Sequence, residues 1–168
     1  MTTKTMDVSR IVFPTVNQVR YEVVPQTFEL GPDDILIETE YSLISAGTEL
    51  AKLTGIQKVD YPFVPGNRSV GKVIAVGKAV DLFQPGHRVF SHTPHMSHAR
   101  ATRLCVPIPA EVRPADSAIV GMALVAMTAL RIGEVELGDR VAVIVLGMVG
   151  NLAAQLLHHI FDRKPVRP

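Results

Sequence analysis

The sequence predicts a small, mainly β barrel or sandwich, then helices, then the first strand–turn–helix unit of an α/β domain that is not carried to completion. Three observations predict it. Short apolar runs punctuated by Gly and Pro fill the chain up to about Pro109. After Pro114 the composition shifts to Ala, Met and Leu, which are good helix formers. The unbroken apolar run Val141–Leu146 then leads into a glycine turn and a helical pattern.

Two short runs, Ile11–Phe13 and Gln18–Val24, flank Thr15-Val16-Asn17. Gly31-Pro32-Asp33-Asp34 is a turn signal and opens a longer run, Ile35–Ile44. Ser69–Val76 alternates β-branched with small residues and stops at Gly77. Arg88–Ser91 follows the turn Gln84-Pro85-Gly86, and Leu104–Ile108 contains Pro107, which suits an edge or a strand end. Only Glu49–Leu53 looks helical in this half, for about one turn. In the second half, Ala115–Ile132 reads as helix, weakened by Gly121 and open to division into two. Val141–Leu146 is apolar on both faces, the pattern of a strand inside a covered parallel sheet. Asn151–Phe161 places Leu152, Leu156 and Ile160 on one helical face. The expected organisation is a β domain over 1–114, linker helices and the start of a second domain over 115–161, and an atypical tail over 162–168.

Bulk properties exclude several classes. Net charge is +1 over 168 residues, with both signs interspersed, so no basic face suggests nucleic acid. A lone Cys105 in an apolar stretch cannot form an internal disulfide and reads as a small hydrophobe. The polar residues Met1–Arg10 lack a signal-peptide core, and Val141–Leu146 is too short to cross a bilayer. A cytoplasmic protein without membrane contact is the expectation.

Val145-Leu146-Gly147-Met148-Val149-Gly150 lies between an apolar strand pattern and a helix pattern, the context of a dinucleotide fingerprint. That fingerprint wants one glycine for the turn, one for approach of the pyrophosphate and one for helix–strand packing. Gly147 and Gly150 fill the last two places, and Val145 stands in the first. Amides at the helix start would face a phosphate. A plain βα turn that needs small residues remains the other reading. The acid that binds the ribose, expected about 20 residues on, has no position before Pro168.

Several segments, in order and spacing, resemble the medium-chain dehydrogenase/reductase, or alcohol dehydrogenase-like, superfamily. They are Ser45-Ala-Gly-Thr-Glu-Leu50, Val64-Pro-Gly-Asn-Arg-Ser-Val-Gly71, Phe83-Gln-Pro-Gly-His-Arg-Val89, Thr128-Ala129, Gly138-Asp-Arg-Val141 and the glycine turn. The resemblance implies a GroES-like barrel followed by a truncated Rossmann domain, and an oxidoreductase transferring hydride between NADP or NAD and an alcohol, carbonyl or enone. It implies Thr48 as a proton-relay hydroxyl, Glu49 as the acid beside it, Thr128 beside the nicotinamide, and Gly147, Met148, Val149 and Gly150 at the cofactor. For Thr48 a loop-capping hydroxyl is the competing reading. Zinc members carry ligands where this chain has Ala46 and Asn67, so no zinc is expected. The Ser-Ala-Gly-Thr-Glu loop resembles metal-free relatives, including a subgroup near the bacteriochlorophyllide dehydrogenases.

His92, His95 and His98, with His87 nearby, are candidate metal ligands by type. Pro94 makes the run a loop, and the resemblance makes it an ordinary one. His158 and His159 are adjacent on a helix and point apart. The tail Asp162–Pro168, with charges and two prolines, departs from the family, where another apolar strand is expected. The expected partner is a small-molecule substrate. An unpaired 141–146 strand would also make the chain marginally stable or self-associating. A catalytically inactive barrel remnant or interaction module is the alternative function.

Overall fold

Met6, Val8 and Val12 lie on one side of a strand that folds as half of a long hairpin. Strand β1, Thr2–Val12, pairs antiparallel with β2, Arg20–Leu30, with Val8 opposite Val24. The computed structural model describes residues 2–102, 105–136 and 138–161. Alternation buries Val8, Val12, Phe28 and Leu30 and leaves Tyr21 and Val23 in solvent. The two expected short runs are thus the inner ends of strands of eleven residues each. Between Thr2 and Asp7 only Met6 is apolar, so the outer half of β1 carried almost no signal.

Next come β3, Ile35–Ser42; helix α1, Ala46–Leu53; β4, Ser69–Val76; β5, Arg88–Ser91; β6, His98–Ala101; and β7, Val106–Pro107. They form an antiparallel sheet of order β6-β3-β4-β5-β7. In the turn Gly31–Asp34, Asp34 Oδ2 accepts from the Gly31 N–H at 2.7 Å, which closes the turn before β3. Because both faces of the sheet are covered at β3, its consecutive apolar residues serve two core clusters. Ile35 and Ile37 pack with Val73, Phe83 and Val89. Leu36 packs with Val8, Phe28 and Leu30 of the hairpin. Burying each such side chain contributes roughly 1.5–3 kcal/mol. The register slips by one between Leu36↔Ala75 and Ile37↔Val73, leaving Ile74 as a bulge.

Expectation and structure differ at several places. β3 stops at Ser42 rather than Ile44, because α1 begins at Ala46, three residues before the expected Glu49. β6 falls where a loop was expected; its sequence, His-Ala-Arg-Ala, has no large apolar residue to mark it. β7 keeps only Val106 and Pro107 of the run expected over 104–108, of which Leu104 lies outside the described residues.

The chain divides into two compact units, Met1–Ala118 and Ile119–Pro168. The first is the β unit with the short helix α2, Pro114–Ser117, which carries proline at its first turn. The second contains α3, Val120–Ile132, and α4, Met148–Phe161, which pack on each other. Expected helix 115–132 is therefore two helices. The stretch Pro114–Ile132 is long and apolar enough to cross a membrane, by length and composition only. Val141–Leu146 forms no strand. A strand is defined by its ladder, and the second unit offers no neighbouring strand among its described residues. The expected tail, 162–168, lies outside the described residues.

Candidate functional site

In the β unit, chemistry-bearing residues converge where β3 leads into α1. Ser45 is the N-cap of α1, and its backbone N–H donates to Glu49 Oε1 at 2.8 Å. This is half of a capping box, with the carboxylate one residue later than usual. It folds Glu49 back over the helix start. The other oxygen, Oε2, accepts from His95 Nε2 at 3.0 Å. His95 Nδ1 meets Ser42 Oγ at 2.9 Å. Side-chain exposure is 8% for His95 and 12% for Glu49, whereas Ser42 is exposed. The result is a hydrogen-bonded chain running from a buried carboxylate, through a buried imidazole, to a hydroxyl in the open.

His95 is held on both sides. Its N–H donates to Pro65 O at 2.8 Å, and its carbonyl accepts from the Ile11 N–H at 3.1 Å. Gly66 has φ +97°, and a Cβ there would lie 2.6 Å from His95 N and 2.8 Å from ring atoms. Only glycine meets both demands. Upstream of His95, the hydroxyls of Ser69, Ser91 and Thr93 are buried and satisfy one another, which pins the loop after β5.

An apolar pocket of about 500 Å³ opens at this chain. Ile11, Phe13, Val19, Leu50 and Leu53 supply apolar lining, and Ala46 also lines it. Among the described residues, Ser42, Glu49 and His95 are its polar lining. Thr48, the expected relay hydroxyl, is exposed and accepts only a long contact from Ser45 Oγ, at 3.4 Å. Sequence reasoning found Glu49 through its position in the loop. It treated His95 as one of a histidine run and did not single out Ser42. No local spacing connects residues 42, 49 and 95, so only the tertiary fold reveals them together.

Ala46 offers no donor atom. Asn67 Oδ1 accepts from Arg68 Nη1 at 3.0 Å, which puts a guanidinium where a metal cation would compete. Among the described residues no group of three His, Cys, Asp or Glu could hold a metal ion. His92 Nδ1 bonds to the Asn67 carbonyl at 3.1 Å, and His98 Nδ1 to Ser97 Oγ at 3.1 Å, so the histidines turn to separate partners. Cys105 is half-buried against the core, and burial pushes its thiol up to about 11, leaving it protonated and unreactive.

The second unit holds the glycine turn. A Cβ at Gly150 would sit 2.0 Å from Val145 O, so the helix can approach only because residue 150 is glycine. Nothing lies within 4 Å of a Cβ at Gly147, so that position is open to an incoming group. Met148 and Val149 follow as the first turn of α4. Val145 takes φ +72°, a left-handed value that a β-branched residue adopts only under strain. Thr128 Oγ1 donates back to Leu124 O at 2.7 Å within α3.

Residues 31–122 match the alcohol dehydrogenase GroES-like domain. Over 69 residues the chain is 39% identical to 2-desacetyl-2-hydroxyethyl bacteriochlorophyllide A dehydrogenase of Cereibacter sphaeroides, covering 39% of this chain and 21% of that protein. The enzyme of the same name from Rhodobacter capsulatus is 38% identical over 64 residues, 36% of this chain and 20% of its own. Solved structures share the fold at low identity. A Sinorhizobium meliloti protein designated a zinc-binding dehydrogenase, solved with NADP, superposes with a TM-score of 0.84 at 20% identity, covering 94% of this chain and 55% of its own. Galactitol-1-phosphate dehydrogenase of Escherichia coli superposes with a TM-score of 0.82 at 18% identity, covering 91% of this chain and 53% of its own. The chain thus spans about half the length of these structures.

Proposed function

The chain belongs to the alcohol dehydrogenase GroES-like domain family, and from that premise we propose that it supplies the barrel and the start of the cofactor domain of an NAD(P)(H)-dependent oxidoreductase that works without catalytic zinc. The substrate class is a small alcohol, carbonyl or enone. The glycine turn carries the cofactor part of this reading: Gly150 allows the close approach of helix to turn, and Gly147 leaves the space a pyrophosphate needs. Gly147, Met148, Val149 and Gly150 would hold the cofactor, with amides of the α4 start facing its phosphates. A bound nicotinamide would supply or take the hydride, and Thr128 is the residue assigned beside it. The zinc-free reading rests on Ala46, which has no donor, and on Asn67, whose oxygen is taken by Arg68. Thr48 and Glu49 are the proposed relay hydroxyl and its neighbouring acid.

A second reading, a barrel module without catalysis of its own, is favoured by the run 141–146. It has no ladder partner among the described residues, and Ile144, Val145 and Leu146 are exposed. Such a run is suited to pairing with a second copy. Titration with NADPH and then NADH, followed by nicotinamide fluorescence, separates the two; the chain has no tryptophan to interfere. Saturable enhancement at micromolar cofactor supports the oxidoreductase. Absence of binding up to millimolar cofactor overturns it in favour of the module.

A further inference from the structure

We propose that Ser42, backed by His95 and Glu49, takes the proton-exchanging part in place of the exposed Thr48, for an apolar alcohol or ketone seated in the pocket beside α1. The inference deepens the oxidoreductase reading and rests on it for the reaction, though not for the binding. The pocket dictates the ligand: apolar lining on most sides and one exposed hydroxyl fit an apolar body bearing a single oxygen. Donor and acceptor roles follow from the chain of bonds. Glu49 already accepts from Ser45, so as a carboxylate it takes the His95 Nε2–H. With His95 neutral, Nδ1 is an acceptor, and Ser42 donates its own proton to it. The Ser42 oxygen then presents lone pairs, which accept from the O–H of an alcohol. With His95 protonated, Nδ1–H donates to Ser42 Oγ, and the Ser42 O–H is free to donate to a ketone.

The two states differ by one proton, as do the alkoxide and alcohol forms of a substrate. In alcohol oxidation a bound nicotinamide would supply the acceptor for the C–H hydride. The O–H proton passes to Ser42 Oγ while the Ser42 proton passes to His95 Nδ1. The products are a ketone and an imidazolium paired with Glu49, and carbonyl reduction runs the same transfers backward. Ser42 touches substrate, His95 stores the proton, and Glu49 and Gly66 are positioning residues.

The test uses three probes of one skeleton: 1-phenylethanol, acetophenone and ethylbenzene, titrated into the chain while the His95 ring and Ser42 amide are followed by NMR. Both oxygenated probes are expected to bind about tenfold more tightly than the hydrocarbon, the effect of one partly buried hydrogen bond. The preference should fall to about twofold or less in Ser42→Ala and persist in Ser42→Thr. In the unaltered chain, the His95 ring and Ser42 amide resonances should shift on binding of 1-phenylethanol or acetophenone and stay in place with ethylbenzene. Equal binding of all three probes overturns the proposal, as does a His95 ring that does not respond to the oxygenated probes or a preference that survives Ser42→Ala. If the probes discriminate as expected but NADPH does not bind, the oxidoreductase reading fails and the oxygen-binding site stands. If NADPH binds and the probes do not discriminate, the relay fails alone.

Discussion

The helical unit is the more apolar of the two in sequence, yet the β unit buries its large apolar residues more completely. Leu36, near the start of β3, is fully buried between the sheet and the hairpin, whereas Leu146, in an equally apolar run, is 66% exposed. Apolar pattern sets what a segment could bury. Neighbours decide whether it does. In the first unit every strand has a ladder and both faces of β3 are covered. In the second, the run 141–146 has strand composition and no strand beside it among the described residues.

Substitutions at the two leucines test that contrast most severely. Leu36→Ala is expected to cost about 2–5 kcal/mol in urea denaturation. Leu146→Ala should stay within about 0.5 kcal/mol while reducing any self-association seen by sedimentation. Equal losses at both sites would erase the distinction between the units. Gly66→Ala comes next, at about 2–3 kcal/mol, because it combines a left-handed backbone with a collision against His95. Its second signature is a shifted His95 ring resonance, and an unshifted ring would refute the seat described for it. In the helical unit the sign reverses: Val145→Gly should relieve about 1 kcal/mol of local strain. It should also tighten NADPH binding, if the turn is a cofactor site at all.

The smallest effect concerns Glu40 and Arg88. Their two hydrogen bonds, at 2.6 and 2.9 Å, hold the Glu40 carboxyl below its ordinary range, chiefly through the Arg88 guanidinium. A depressed carboxyl contributes stability that is present above the unfolded value and lost as pH falls through the folded one. Arg88→Ala should therefore cost about 0.5–1 kcal/mol at neutral pH and nothing once Glu40 is protonated in both states. A cost that persists undiminished in acid would show that Arg88 acts through packing instead.

What the residues disclosed follows the same division between local and non-local causes. β4 and β5 have the bounds expected, Ser69–Val76 and Arg88–Ser91, because glycine and proline turns mark their ends. The outer half of β1 and the whole of β6 were hidden, since pairing partners rather than their own composition make them strands. The error at 141–146 is the converse, composition without partners. At the candidate site, Glu49 was legible from a motif, whereas Ser42 and His95 were not. Their juxtaposition depends on where the loop after β5 crosses the start of α1, and no residue type announces that crossing.

The bulge at Ile74 gives β4 a spare link. Because Ile74 has no opposite number, Val73 and Ala75 lie on opposite sides of the sheet, one in each core cluster, as adjacent residues of a regular strand would. Losing one residue at this point would leave every remaining side chain on its present side. Losing one between Ser69 and Lys72 would turn the preceding segment inside out. Apart from the slip at Glu40 on the β3 side, the ladder counts in twos, so the chain length of β4 can vary at Ile74 without changing which residues meet.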